Sequence, residues 1–167
     1  MKTLILYMTS HGCTEKAVNL LKTLIGGDVT VVNLEGPDAP DLPSAERVII
    51  GGSIRIGTIQ KRIKKFCEKN LDVLLAKQVG LFICCMFEGG TALDQLKRNF
   101  PETLWRHASA LGLFGGELEF ARMNAFEKMI VQQVANISVD VSKFNEKAVK
   151  EFAETMKRSG SQEVIGN

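Results

Sequence analysis

Val79-Gly80-Leu81-Phe82-Ile83-Cys84-Cys85 carries no polar side chain. The run is far short of the roughly 20 residues that a bilayer span needs, so it reads as a strand covered on both faces. Thr3-Leu4-Ile5-Leu6-Tyr7-Met8 and Arg47-Val48-Ile49-Ile50-Gly51 repeat the pattern, and Asp28–Leu34 and Gly112–Phe120 read as further strands. Between them lie helical periods. Ala17, Leu20, Leu21 and Leu24 form an apolar stripe closed by Gly26-Gly27. Ile59–Asn70 turns Ile63, Phe66 and Cys67 inward, Thr91 to about Leu111 is a helix interrupted near Pro101, and Asn145–Lys157 closes the pattern. Residues 35–46 hold three of the four prolines and leave room for one helical turn at most. Apolar strands alternating with crossover helices predict an α/β fold, a doubly wound parallel sheet with helices on both faces.

Composition narrows the function. At 167 residues the chain is about one domain of roughly 150 residues. Lys and Arg total 21 against 19 Asp and Glu, a net charge of +2 that is too balanced for a generic nucleic-acid binder. Met1–Tyr7 leads straight into a strand without a cleavage signal, and no segment is long enough to be an integral membrane span. Cys13, Cys67, Cys84 and Cys85 lack a disulfide framework and read as free thiols of a reducing, cytoplasmic compartment. Residues 1–157 are expected to form the domain and 158–167 a polar tail, frayed from Ser159 onward.

A parallel doubly wound sheet binds ligands beyond the carboxyl ends of its strands, so the loops there carry the candidates. After the first strand comes Thr9-Ser10-His11-Gly12-Cys13-Thr14, hydroxyls and a glycine against a helix N-terminus. Such an end favours an anion such as phosphate through free N–H groups and the helix dipole, although Ser and Thr also serve there as plain caps. The dinucleotide and P-loop glycine fingerprints are both missing. Gly51-Gly52-Ser53-Ile54-Arg55-Ile56-Gly57 follows the third strand, and its glycines let backbone approach a flat ligand. Met86-Phe87-Glu88-Gly89-Gly90 follows the fourth and adds free backbone donors.

The three loops together resemble the flavodoxin-like FMN proteins, the first being similar to that family's hydroxyl-rich T/S-x-T-G-x-T phosphate loop, with His11 in place of its third hydroxyl. Met1–Leu6 and Val48–Gly57 further resemble the flavodoxin-type, quinone-dependent protoporphyrinogen oxidases of bacteria. The resemblance implies a five-stranded parallel sheet of order 2-1-3-4-5 holding one noncovalent FMN, with phosphate on residues 9–14. Gly52, Ser53, Ile54, Arg55, Ile56 and Gly57, with Met86, Phe87, Glu88, Gly89 and Gly90, would flank the isoalloxazine. It implies no protein nucleophile and no metal. Phe87 is the best-placed aromatic, with Ile54 and Ile56 as aliphatic alternatives, while Tyr7 and Trp105 read as packing residues.

Arg55 is the expected flavin tuner, because a cation near the oxygen edge of the ring favours its reduced, anionic form. With a net charge of +2 it tilts the reading from acidic electron carriers toward a flavoenzyme or reductase, for which the resemblance implies a quinone-like acceptor. The alternatives are a flavodoxin-type carrier docking a redox partner protein, and a domain without FMN acting through protein contacts. Lys61, Arg62, Lys64 and Lys65 read as a solvated helix face. Cys13 lies where a thiolate is favoured but lacks an evident base beyond His11, Cys84 and Cys85 alternate faces within a buried strand, and His107 reads as a surface residue. Arg122 to about Val134 carries Met123, Phe126, Met129, Ile130 and Val134 at helical spacing. Such a stripe packs on its own domain or covers a substrate, a quinone or a second subunit in a homodimer.

Overall fold

A computed structural model describes residues 1–9, 12–37, 40–118, 123–135, 140–158 and 162–166, with 134 and 135 by backbone alone. The strands are β1 (Thr3–Met8), β2 (Val29–Asn33), β3 (Arg47–Ser53), β4 (Gln78–Cys84), β5 (Ala110–Leu113), β6 (Glu117–Leu118), β7 (Val141–Ser142) and β8 (Glu163–Ile165). The helices are α1 (Cys13–Ile25), α2 (Lys61–Lys69), α3 (Leu71–Leu75), α4 (Gly89–Asn99), α5 (Glu102–His107), α6 (Ala125–Ala135) and α7 (Glu146–Lys157).

The five expected strands form a parallel sheet in the expected order, and β8 extends it to β2-β1-β3-β4-β5-β8. Alternation along the central strands divides the core. Leu81, Ile83 and Cys85 face α2 to α5 through Ile63, Leu74, Leu96 and Leu104, while Phe82 and Cys84 face α1 and α7 through Leu21, Val149 and Phe152. Cys84 and Cys85 thus lie buried on opposite faces, as expected of packing residues. Among the described residues no helix is long and apolar enough to cross a membrane.

Three expectations need correction. The fifth strand runs over 110–113 rather than 112–120, and the preceding helical segment ends at His107. Gly115 turns the chain out of the sheet with φ +70°, and a Cβ there would collide with the Lys143 carbonyl, so only glycine fits. The tail expected to fray instead supplies β8. Glu163 N donates to Ser109 O (3.1 Å) and Ile165 is buried, so the strand satisfies the exposed edge of β5.

On the α7 face the sheet carries glycine where the helix comes close. Gly51 and Gly112 are the register partners of Phe82, whose ring stacks on Phe114 at 4.8 Å while Phe152 of α7 stands edge-on to both. At Gly80 a Cβ would lie 2.7 Å from the Phe152 ring and from Met156 Sδ. Gly80→Ala is therefore expected to push α7 off the sheet and destabilise the domain by about 1–3 kcal/mol. A thermal melt lowered by several degrees checks it; an unchanged melt would show that α7 yields without cost.

Candidate functional site

Because β1, β3 and β4 are parallel, the loops that leave them converge on one sheet edge. In the first loop Gly12 caps α1 in a left-handed conformation (φ +91°), and its N–H donates to Thr9 Oγ1 (3.0 Å). The first-turn amides of α1 are those a helix leaves without intrahelical acceptors. Thr14 is fully buried there, and among the described residues its Oγ1 meets no oxygen or nitrogen partner, only the weakly polar Cys84 thiol beside it. A buried hydroxyl without an oxygen or nitrogen partner is costly unless a ligand completes it. Ser10 and His11 lie outside the described residues.

The second loop is held at several points. Ile54 N donates to Cys84 O (2.9 Å), joining it to the third loop, and Ser53 Oγ accepts from Gln60 Nε2 (2.9 Å). Arg55 and Thr58 exchange backbone hydrogen bonds (2.9 and 3.1 Å) around a turn whose central residues, Ile56 (φ +50°) and Gly57 (φ +72°), are both left-handed. Glycine suits that geometry; β-branched isoleucine does not, and such a residue stores of order 1–3 kcal/mol of strain. The Ile56 side chain is 79% exposed, so no packing compensates it. Asn99, buried at the end of α4, clamps the turn by donating to Gly57 O and accepting from Ile59 N, both at 3.0 Å. Sequence reading missed Asn99; its signal is a polar residue amid the inward-facing positions of α4, after Ala92 and Leu96.

In the third loop Phe87 is 51% exposed, so it stands available at the edge rather than packed in the core. Its carbonyl accepts from Cys85 Sγ (3.5 Å). Gly89 and Gly90, which begin α4, have open space where a Cβ would project. These open glycines and the buried Thr14 hydroxyl fit a phosphate-bearing, flat ligand.

The segment between β5 and α7 is fastened to this edge. Lys16 Nζ pairs with Glu117 Oε1 (2.9 Å), Arg55 Nη2 with Glu127 Oε1, and Lys143 Nζ with Glu88 Oε1 (3.9 Å). Arg55 is thus engaged by a carboxylate of α6 instead of standing as a bare cation. Within the stripe Met123 is buried, Ile130 is half-buried, and Phe126 and Met129 are exposed; Arg122 and the Val134 side chain lie outside the described residues. The stripe therefore packs only in part on its own domain.

The residues read as structural behave so. Tyr7 is buried, and the half-buried Trp105 ring lies under Lys97 Nζ (4.9 Å) and the Arg106 guanidinium (4.8 Å). His107 is exposed with its ring at Lys77 O (2.8 Å). Lys61, Arg62 and Lys65 are exposed and Lys64 half-exposed, with Arg62 donating to Leu34 O and Glu35 O. A cleft of about 480 Å³ lies between α7 and β8, lined by Lys150, Glu154, Arg158 and Glu163, away from the three loops.

A family model described as a flavodoxin domain matches residues 4–145. No protein of curated function matches the chain. Among solved structures, the flavodoxin of Streptococcus pneumoniae TIGR4 aligns at 13% identity and a TM-score of 0.56, over 94% of this chain and 98% of that one. A flavodoxin from the domain Archaea aligns at 14% identity and a TM-score of 0.53, covering 95% and 100%. The rubredoxin oxygen:oxidoreductase of Desulfovibrio gigas aligns at 15% identity and a TM-score of 0.54 over 93% of this chain, which spans only 35% of that protein. At these identities the likeness is one of fold.

The thiols offer a test that needs no ligand. A hydrogen bond from Cys84 holds the Cys13 thiol below its ordinary value, aided by Lys16, against burial and the Glu117 charge; the same contact and burial push Cys84 well up. Burial pushes Cys67 up to about 12 and Cys85 up to about 11. A lowered value means a larger thiolate fraction at a given pH, and thiolate is the reactive form. All four thiols are buried, so iodoacetamide reaches them only through local opening. At pH 8 Cys13, at the very start of α1, is expected to be alkylated before the others, read by peptide mass spectrometry, and faster labelling of Cys67 or Cys85 would contradict the assignment.

Proposed function

From the premise that the chain belongs to the flavodoxin-domain family, we propose that it binds one FMN noncovalently at this edge and is an oxidoreductase. When bound, FMN supplies electron or hydride transfer through its isoalloxazine. The chain's part is to hold, orient and tune it. Backbone N–H groups of Cys13 and Thr14 at the positive end of α1, with the Thr9, Ser10 and Thr14 hydroxyls and the His11 ring of the same loop, would take the phosphate, while Gly12 N–H holds Thr9 Oγ1 and shapes the loop. Gly52, Ser53, Ile54, Arg55, Ile56 and Gly57 would line one side of the ring. Met86, Phe87, Glu88, Gly89 and Gly90 would line the other, with Phe87 exposed for stacking. The observation that carries this reading is the buried Thr14 hydroxyl at the first turn of α1, which has no oxygen or nitrogen partner among the described residues.

The finer reading is a protoporphyrinogen oxidase-like enzyme that passes electrons to a quinone-like acceptor. What supports an apolar acceptor is the placement of exposed hydrophobics. Ile56, Phe87, Phe126 and Met129 lie on the second and third loops and on α6, and together make up most of the large exposed apolar side chains among the described residues. Exposed apolar side chains gathered on elements around one sheet edge suit contact with an apolar molecule or a partner. The same side chains would also serve a carrier that docks a redox partner protein. A purified acceptor assay separates the two: direct turnover with a soluble quinone analogue supports the enzyme, and reduction of protein partners alone supports the carrier.

Thr14→Val tests the flavin site itself. It removes the hydroxyl at constant shape, so the fold is expected to be as stable as before or slightly more so. A hydrogen bond to a charged group contributes about 1.5–3 kcal/mol, so FMN affinity should fall roughly tenfold or more while riboflavin affinity stays unchanged. Flavin absorbance titrations read both ligands, and equal losses for the two would remove phosphate from this loop.

A further inference from the structure

Arg55 and Glu127 are each anchored before they meet. The Arg55 main chain is fixed by its two backbone hydrogen bonds with Thr58, so the root of its side chain has a set place beside the turn. Glu127 uses its second oxygen to accept from Asn124 N (3.2 Å), while its own N–H donates to Asn124 Oδ1 (2.8 Å). That reciprocal pair is a capping box at the start of α6. Its first oxygen is then left pointing at the guanidinium, with the two side chains 42% and 21% exposed. An ion pair made to a carboxylate that its cap already orders loses less side-chain entropy than one between two free side chains, and partial covering screens it less than open water.

We propose that Glu127 masks Arg55, setting how much of the guanidinium's positive charge reaches the flavin edge and therefore where the flavin's reduction potential lies. The inference rests on the FMN site proposed above. Reduction places negative charge on the ring, so a bare cation beside it favours the reduced state. A cation in contact with a carboxylate presents a dipole, whose field falls off faster, and the preference shrinks. Glu127 is in this sense a positioning residue, one that acts through Arg55. The pair also explains why an arginine next to a strained, exposed turn is not left to solvent.

The test uses the FMN-loaded full chain and its Glu127→Gln, Arg55→Gln and doubly substituted forms, with midpoint potentials read by anaerobic dye equilibration. Gln at position 127 keeps the capping-box acceptor, so α6 should start as before. Glu127→Gln is expected to raise the potential, equivalent to about a tenfold gain in affinity for reduced over oxidised flavin. Arg55→Gln removes the guanidinium but keeps the Glu127 negative charge, and should lower it. The double variant replaces a neutral pair by a neutral pair and should return close to the parent value. A Glu127→Gln potential equal to the parent's, or a double variant that keeps the whole Arg55→Gln shift, would overturn the masking. Failure of the parent protein to take up FMN shows in the absorbance titration that precedes these measurements; it removes the flavin site, and the masking with it.

Discussion

The structure turns on how closely α7 lies against the sheet. Phe82, at the centre of β4, has a glycine on each side in register, Gly51 and Gly112, and its ring stacks on Phe114 under the edge of Phe152. The glycines create the space and the rings fill it, a complementary arrangement in which small and large residues alternate across strands. With α7 seated there, both ends of the preceding segment are pinned: Asn145 N donates to Phe114 O (2.8 Å) and Lys143 N to Gly116 O (2.7 Å). Chain leaving β5 and returning to α7 must therefore pass beside the carboxyl edge of the sheet. The packing of the core thus decides that α6, β6 and β7 neighbour the loops of the candidate site.

That neighbourhood is electrostatic as well as steric. One ion pair runs from the segment to α1, one to the loop after β3 and one to the loop after β4. Two of the three place a carboxylate on a cation of the edge, so the local charge there is more nearly balanced than the loop sequences suggest. A helix that brings a compensating charge to a site can also withdraw it. Movement of α6 therefore has an electrical consequence, not only a consequence for access.

Much of this was legible in the sequence, for definite reasons. The runs at 4–8, 48–51 and 79–85 are apolar on both faces, and with helical periods between them a helix-covered parallel sheet is what buries both faces of three such strands. The loops followed because strand direction fixes which ends they occupy. What escaped reading is non-local or short. Glu163-Val164-Ile165 has three residues and no period of its own; it is a strand only because β5 offers an edge. The end of β5 depends on a collision between Gly115 and Lys143, which only the folded chain brings together. Arg55 looked like a free cation because its partner lies on a helix far along the chain. Asn99 looked like an ordinary helix end, although it clamps the turn at Gly57.

Ile56 draws these strands of argument to one position. It holds a left-handed backbone that glycine or asparagine would adopt more cheaply, and it points a branched apolar side chain into solvent. Neither helps the domain fold. The chain forgoes stability at the tip of the loop, where relief would need one substitution, and natural proteins sit close enough to their stability threshold for such a concession to matter. Selection for thermal robustness and selection for work at this edge would accordingly pull residue 56 in opposite directions.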